Sequence, residues 1–434
     1  MYISKVHLKN IRGFKDLVFS FDRENGAYAG WTVLTGDNGS GKSTLLKAIA
    51  IALTGVDTAR ALQPSFHRWI SETEVTAQIE LEIVQQPADD SFTDGGRTPT
   101  TGRFSVCVEL KKGTKEPILQ AKKISKNSRL TNKTLPDRSI WSSEAKGWFS
   151  CGYGPFRRVF GASPEAMRQM VAPATERFVT MFQEAASLAE VDQWLRSLSH
   201  KKLENRSEET KQLELLIEML GDGLLPNQIS IDRVDSDGLW LKDRNGLDLA
   251  WSEMSDGYRA ALALLADIIR HLIGTFGVEN FTQKKEDGGI VIRRSGVVLI
   301  DEIDAHLHPE WQREIGFWLK KHFPNIQFIV TSHSPLICQA ADDNGLFVLP
   351  EPGSGDAPRQ LSEEERQRII SSTPDTILRS PAFGLQNTRS QPAVEAQSKY
   401  SRLKAKQRAG AQLSPDEQGQ LEQLSLFIPP DEGF

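Results

Sequence analysis

Gly36-Asp37-Asn38-Gly39-Ser40-Gly41-Lys42-Ser43-Thr44 is the stretch on which the reading of this chain turns. It follows an apolar run, Trp31-Thr32-Val33-Leu34, that reads as a buried strand, and it leads into Leu45-Leu46-Lys47-Ala48-Ile49-Ala50, which reads as a helix. Glycines at 36, 39 and 41 let the backbone curl until its N–H groups and the helix N-terminus face phosphate oxygens. Asn38, Gly39, Ser40, Gly41, Lys42, Ser43 and Thr44 then form a phosphate-binding loop. In such a loop Lys42 reaches the β- and γ-phosphates and the Ser43 hydroxyl holds Mg²⁺. The plainer alternative is a glycine turn with no nucleotide, and the strand before it and helix after it weigh against that.

The 434 residues are 39% apolar and 25% charged, an ordinary globular balance with room for two or three domains. A formal net charge of −5 gives no overall pull toward nucleic acid, so a DNA contact needs a local patch. Cys107, Cys151 and Cys338 are odd in number and lack metal-ligand spacing, which points to a reducing compartment without a disulfide framework. The opening residues are too polar for a signal peptide and no apolar run approaches ~18 residues, so a cytoplasmic protein with no membrane partner is expected.

Outward from the loop, Ile3, Val6, Leu8 and Ile11, then Leu17, Phe19 and Phe21, alternate around Arg12-Gly13-Phe14 like a pair of strands. After the helix, Val75, Ala77, Ile79, Leu81 and Ile83 share one face of a predicted strand, and Phe104 to Leu110 repeats the pattern across an exposed Ala88–Gly102 loop. Lys122, Lys123, Lys126, Arg129 and Lys133, with Trp141 and Trp148 beyond, are either a solvated face or a nucleic-acid contact. Helical spacing covers Glu165 to Leu198 and Glu208 to Leu220 without a sustained heptad.

Strand patterning returns at Ile229 to Val234 and Leu239 to Leu241, and Asn245-Gly246 predicts a hairpin to Leu247–Trp251. Ser255 and Gly257 then stand at the start of an apolar helix over Ala260–Leu272, a place where a hydroxyl and free N–H groups suit an anion, though most such sequences are only capped turns. Val297-Val298-Leu299-Ile300 is a continuous apolar strand delivering Asp301 and Glu302 at its C-terminal end. Asp301 is placed to hold a metal through its waters and Glu302 to polarise an attacking water. A helix, Glu310–His322, and a strand, Ile326–Val330, come next, and His333 at that strand's end is placed to hydrogen-bond a γ-phosphate. His306 and His308 lack a third ligand at a usual spacing and read as loop residues rather than a metal site.

In this order the pieces resemble the ATP-binding-cassette (ABC) class of P-loop ATPases, in its SMC, RecF and OLD-like branch, over most of Met1–Pro350. Those that carry the resemblance are Val6 to Phe14 at the start, the Gly36 run as Walker A, Met254-Ser255-Asp256-Gly257-Tyr258-Arg259 as signature, Leu299 to Gln312 as Walker B with D-loop, and Thr331-Ser332-His333-Ser334-Pro335 as switch. Asp256 stands where transporters carry glycine, and no glutamine can be assigned to the Q-loop. The resemblance implies an α/β fold: a P-loop ABC-ATPase head with a mixed sheet and an antiparallel β subdomain, an inserted helical lobe and a C-terminal helical tail. The expected divisions are 1–150, 151–224, 225–350 and 351–434.

It also implies a homodimer or higher homo-oligomer with ATP and Mg²⁺ sandwiched between copies. Glu302 would be the catalytic base, Ser255 and Gly257 would touch the γ-phosphate in trans, Asp304 would cross the interface, and Arg12 would be a nucleotide contact unless it is a plain surface arginine. The Ile303–Gln312 wording and the tail, with Thr373 to Leu378 and Tyr400 to Lys406, are similar to Septu-type and retron-associated anti-phage ATPases that work beside an HNH nuclease. Too little chain lies beyond Pro350 for the TOPRIM domain of OLD nucleases.

The expected function is therefore ATP-driven closure that controls a separate effector, a nuclease. A RecF-like clamp that grips DNA, or an ATP-bound scaffold without turnover, are the alternatives, and Glu302 argues against the last. Residues Ser362 to Ile370 and Ser414 to Phe427 read as capped helices in a tail that either docks a partner or packs on the head.

Overall fold

The computed structural model describes residues 1–23, 26–93, 102–122, 135–157, 173–184, 186–223, 228–279, 281–284, 289–351 and 356–426, together with Val159, Leu225 and Ser354. It divides into two compact units, Met1–Ile377 and Leu378–Phe434. The opening alternation folds as β1 (Tyr2–Ile11) and β2 (Phe14–Ser20), an antiparallel pair with Val6 opposite Phe19 and Leu8 opposite Leu17. The run before the phosphate-binding loop is β3 (Gly30–Thr35), and the helix after it is α1 (Lys42–Leu62). Next come β4 (Thr76–Val84), β5 (Arg103–Lys111) and β6 (Ile118–Ala121), giving a five-stranded antiparallel sheet in the order β2-β1-β4-β5-β6. Val75 falls just outside β4 and is 66% exposed, so the buried face begins at Ala77.

The second sheet gathers strands from across the chain: β7 (Ser150–Tyr153), β13 (Gly296–Ile300), β14 (Ile326–Thr331), β15 (Leu346–Val348) and β16 (Arg359–Gln360) join β3 in the order β16-β15-β3-β14-β13-β7. All its pairings are parallel except β15 with β16. Helix α1 lies between the two sheets. Leu46, Ile49 and Leu53 share one buried cluster with Ile79, Leu81, Val106 and Val108 of the first sheet and Val297, Leu299, Ile329 and Phe347 of the second. A helix covered on both sides has no use for a polar face, which is why Leu45 to Leu53 is apolar at nearly every position.

Between β7 and β13 the chain builds a lobe: α2 (Ala189–Leu203) and α3 (Ser207–Gly221) pack with a three-stranded sheet of β8 (Ser230–Asp235), β9 (Gly238–Lys242) and β10 (Asp248–Ala250). The Asn245-Gly246 turn joins β9 and β10 as expected. Helix α4 (Asp256–Phe276) returns to the head, and a short ribbon, β11 (Thr282–Lys284) with β12 (Ile290–Ile292), precedes β13. The Tyr153 hydroxyl donates to Asp267 of α4 at 3.0 Å. Burial alone would raise the Asp267 carboxyl, but His271 and Arg270 against it outweigh that and hold it well below the usual range.

The sequence predicts one helical run from Glu165 to Leu198. Residues 160–172 lie outside the described ones, and two short helices, Pro173–Glu176 and Val179–Phe182, occupy the chain between them and α2. Tertiary packing breaks the run: Gly152 of β7 donates its N–H to the Arg177 carbonyl, and a Cβ on Gly152 would stand 2.7 Å from the Phe178 ring. Trp148 is buried and Trp141 packs on α1, so the aromatics beyond the basic run serve the core. Lys122 pairs with Glu109 at 2.9 Å, while Lys123, Lys126, Arg129 and Lys133 lie outside the described residues, as do 94–101 of the Ala88–Gly102 loop and the linker residues Pro352, Gly353 and Gly355.

Helices α5 (Pro309–His322) and α6 (Glu363–Ser371) complete the first unit, which thereby takes in β16 and α6 beyond the expected division at 350. The second unit contains α7 (Gln391–Arg408) and α8 (Pro415–Ser425), with Phe427 outside the described residues. Ser362 with Glu365 and Ser414 with Glu417 both close reciprocal capping boxes at the starts of α6 and α8.

Helix α1 is broken at Gly55, whose backbone (φ 81°, ψ 173°) is open to glycine alone. Trp141 fills the break: a Cβ on Gly55 would lie 2.8 Å from its ring, and its indole N–H donates to the Ala52 carbonyl at 2.9 Å. Gly55→Val is expected to cost roughly 2–5 kcal/mol, strain and overpacking together, read as a lower urea midpoint by far-UV circular dichroism. An unchanged midpoint would show that the kink relaxes freely.

Candidate functional site

Parallel strands bring their C-terminal ends to one edge of the sheet, so the loops after β3, β13 and β14 meet there. In the loop after β3, Gly36, Gly39 and Gly41 have φ of 136°, 83° and 92°. Gly41 caps α1 in the left-handed region, and a Cβ there would sit 2.4 Å from the Phe14 ring. Side chains larger than hydrogen are thus excluded twice over. The Lys42 ammonium donates to the carbonyls of Gly36 (2.8 Å) and Asp37 (2.9 Å). Burial lowers its pKa, and Asp301, Glu302, Asp37 and Asp304 nearby oppose that shift. Ser40 Oγ is buried without a hydrogen-bond partner among the described residues, and the half-buried Ser43 opens the first turn of α1.

Asp301 is 2% exposed at the end of β13. Its Oδ1 accepts from Thr331 Oγ1 at 2.6 Å, and that same hydroxyl oxygen accepts from the Glu302 N–H at 2.7 Å. Thr331 therefore binds the two strand ends through one hydroxyl. Glu302 itself has φ 46°, a left-handed backbone uncommon for a glutamate. Arg157, buried four residues past β7, donates to the carbonyls of Asp301 (2.8 Å), Glu302 (2.9 Å) and Ile303 (3.3 Å).

A cleft of about 730 Å³ collects the loop residues Asn38, Gly39, Ser40, Gly41, Lys42, Ser43 and Thr44 with Glu302, His333 and Arg12. Phe14 to Leu17 of β2 form one wall, and Pro350, Glu351, Ser354 and Asp356 line it as well. Arg12 is tied in rather than loose on the surface: it donates to Thr44 Oγ1 at 3.1 Å and lies 4.8 Å over the Trp69 ring. Asp301, buried, is not among the residues that line the cleft, though its charge acts on Lys42.

Ser255, Gly257 and Asp304 do not line this cleft. Ser255 is exposed at the N-cap of α4, and a Cβ on Gly257 would stand 2.2 Å from the His306 carbonyl, so the start of α4 rests on the turn after Glu302. Asp304 has a buried Oδ1 without a hydrogen-bond partner among the described residues. His308 caps α5, its Nδ1 accepting from the Glu310 N–H at 3.4 Å. Sequence reasoning missed Arg157 entirely and saw Thr331 only as part of the switch run, because neither sits in a spacing that announces what it touches.

The residues fit a nucleotide and a divalent cation. Gly41 leaves a cradle that a Cβ would fill, the Ser40 hydroxyl is free to bond, and Ser43 and Asp301 offer the hard oxygen donors that Mg²⁺ takes while keeping waters. Among the described residues, no group of three or more His, Cys, Asp or Glu could hold a metal unaided. No helix among the described residues is long and apolar enough to cross a membrane.

These features define a P-loop nucleotide-binding protein of ATPase type. The family described as "AAA domain, putative AbiEii toxin, Type IV TA system" matches residues 31–339, and the chain belongs to it. It is 24% identical over 411 residues to "Retron Ec83 probable ATPase" of Escherichia coli, which spans 82% of this chain and 73% of that protein. It is 27% identical over 398 residues to "Septu protein PtuA" of Bacillus mycoides (strain KBAB4), covering 89% of this chain and 45% of the relative, less than half its length. Among solved structures, an SMC head bound to the C-terminal winged-helix domain of ScpA is similar with a TM-score of 0.47 and 16% identity, over 85% of this chain and 100% of that one.

Thr331→Val removes the donor to a buried carboxylate and the acceptor of the Glu302 N–H together, and is expected to destabilise the head by about 2–4 kcal/mol. Thr331→Ser keeps the hydroxyl and should lose only about 1 kcal/mol for the missing methyl. Urea unfolding of the two variants checks this, and equal losses would assign the effect to packing.

Proposed function

We propose that the chain binds MgATP in the cleft, closes on a second copy of itself around two nucleotides, hydrolyses ATP slowly, and through that closure controls a separate nuclease, of HNH type, in anti-phage defence in the cytoplasm. The observation that carries the ATPase reading is the meeting of Lys42, Glu302 and His333 in one cleft, with the buried Asp301 carboxylate acting on Lys42. Lys42 leaves its two loop carbonyls for the β- and γ-phosphates. Ser43 and Asp301 hold Mg²⁺, which when bound neutralises charge on the phosphate oxygens. Glu302 orients the attacking water and takes its proton, and His333 hydrogen-bonds the γ-phosphate. Arg12, held against Thr44, adds positive charge at the mouth.

The dimeric part of the reading is supported by where Ser255 sits: exposed at a helix start and outside its own cleft, it is available to another copy's γ-phosphate. Gly257, against the His306 carbonyl, and Asp304, two residues before His306 in the same turn, would form the rest of that surface. The effector and the defence setting rest on relatives named for retron and Septu systems.

Glu302→Gln should lower kcat by about 10²–10⁴-fold while ATP still binds, and should accumulate an ATP-bound dimer by light scattering. Wild-type turnover in this variant would remove the assignment of the base. Ser255→Arg puts bulk and charge at the trans site, so ATP should still bind the monomer while ATP-dependent dimerisation in sedimentation is lost; dimerisation equal to wild type would sink the trans reading.

A further inference from the structure

We propose that Arg157 is a positioning residue for hydrolysis: a buried guanidinium that pins the backbone of the turn after β13 and so aims the Glu302 carboxylate into the cleft. The inference rests on the reading of Glu302 as the base. Arg157 is 5% exposed, and among the described residues it donates to four backbone carbonyls: Gly154 at 2.9 Å, then three in succession, Asp301, Glu302 and Ile303, at 2.8, 2.9 and 3.3 Å. Taking a guanidinium out of water costs several kcal/mol, and a hydrocarbon side chain would fill the same space without that penalty. What the charge does here is gather three successive carbonyls that a strand would point to alternate sides.

Those carbonyls converge because Glu302 is left-handed, with φ 46°. Such a backbone costs on the order of 1–3 kcal/mol and persists only where its surroundings enforce it. Several bonds enforce it: Thr331 Oγ1 takes the Glu302 N–H and the Thr331 carbonyl takes the Ile303 N–H at 3.1 Å, the Ala305 N–H donates to the Glu302 carbonyl at 2.9 Å, and Arg157 donates to that same carbonyl and to the carbonyls on both sides. With its N–H and C=O both held, the residue presents its side chain to the cleft it lines. Burial lowers the Arg157 pKa, and Asp301, Asp304 and Glu302 oppose that shift.

The test uses the full chain and four variants: Arg157→Met, Arg157→Lys, Glu302→Gln and the Arg157→Met/Glu302→Gln pair. Arg157→Met should lower kcat by about 100-fold, the scale of a misplacement near 1 Å, with the Kd for ATP within about twofold of wild type. Arg157→Lys, whose ammonium can serve some of the carbonyls, should fall between, and it carries the test alone if Arg157→Met does not fold. In the pair, losing Arg157 should add little to the loss from Glu302→Gln, because the two act as a unit. The proposal is overturned by wild-type kcat in the foldable Arg157 variants, by parallel loss of ATP affinity and kcat, or by multiplicative losses in the pair. Wild-type turnover in Glu302→Gln would remove the base and the proposal together, whereas failure confined to the Arg157 variants leaves Glu302 standing.

Discussion

One hydroxyl holds the centre of this molecule together. Thr331 Oγ1 donates to the buried Asp301 carboxylate and accepts from the Glu302 amide, so the end of β14 and the end of β13 are bound at the point where the acids leave the sheet. A carboxylate at that depth is tolerable only with a donor against it. Without it, the buried Asp301 carboxylate would lose its Thr331 donor and the Glu302 N–H its acceptor, leaving the turn to the strand pairing, the Ile303 N–H bond to the Thr331 carbonyl and Arg157. The order of strands makes the bond possible: β14 lies between β3, which delivers the loop, and β13, which delivers the acids.

The antiparallel sheet has a task beyond covering α1. Its β1–β2 hairpin carries Arg12, Gly13 and Phe14 across to the cleft, where Phe14 packs on Gly41 and Arg12 reaches Thr44. The Arg12 N–H and carbonyl are both taken, by the Trp69 carbonyl and the Ser71 hydroxyl, which fixes its left-handed backbone. Helix α1, held between both sheets, therefore has its N-terminus set from one side by the parallel strands and from the other by this hairpin.

What the sequence made legible was local. The glycine loop, the continuous apolar strand ending in Asp301-Glu302, the Asn245-Gly246 hairpin and both capping boxes all declare themselves within a few residues, because each depends on spacing or on backbone conformation. Arg157 was invisible for the opposite reason: its carbonyl partners on the turn after β13 lie about 145 positions away and no side-chain pattern marks a backbone carbonyl as a partner. The helix predicted across Phe178 failed because its apolar spacing was right for burial but the surface it met was the glycine of β7, which pulled the segment into short turns. Likewise β16 is too short to show a period, and only its pairing with Phe347 and Val348 makes it a strand.

Gly257 joins these threads. Because it lacks a side chain, the start of α4 lies directly on the His306 carbonyl, so exposed Ser255 is carried by the same turn that begins at Asp301. That turn is held from below by Arg157 and from the side by Thr331, and Gln312 of α5 closes it by donating to the Leu307 carbonyl at 2.8 Å. In the dimeric reading, the Ser255 end of α4, through Gly257, and the Glu302 carboxylate would therefore both belong to the turn that Arg157 and Thr331 hydrogen-bond, which places the surface offered to a second copy next to the backbone that carries the base.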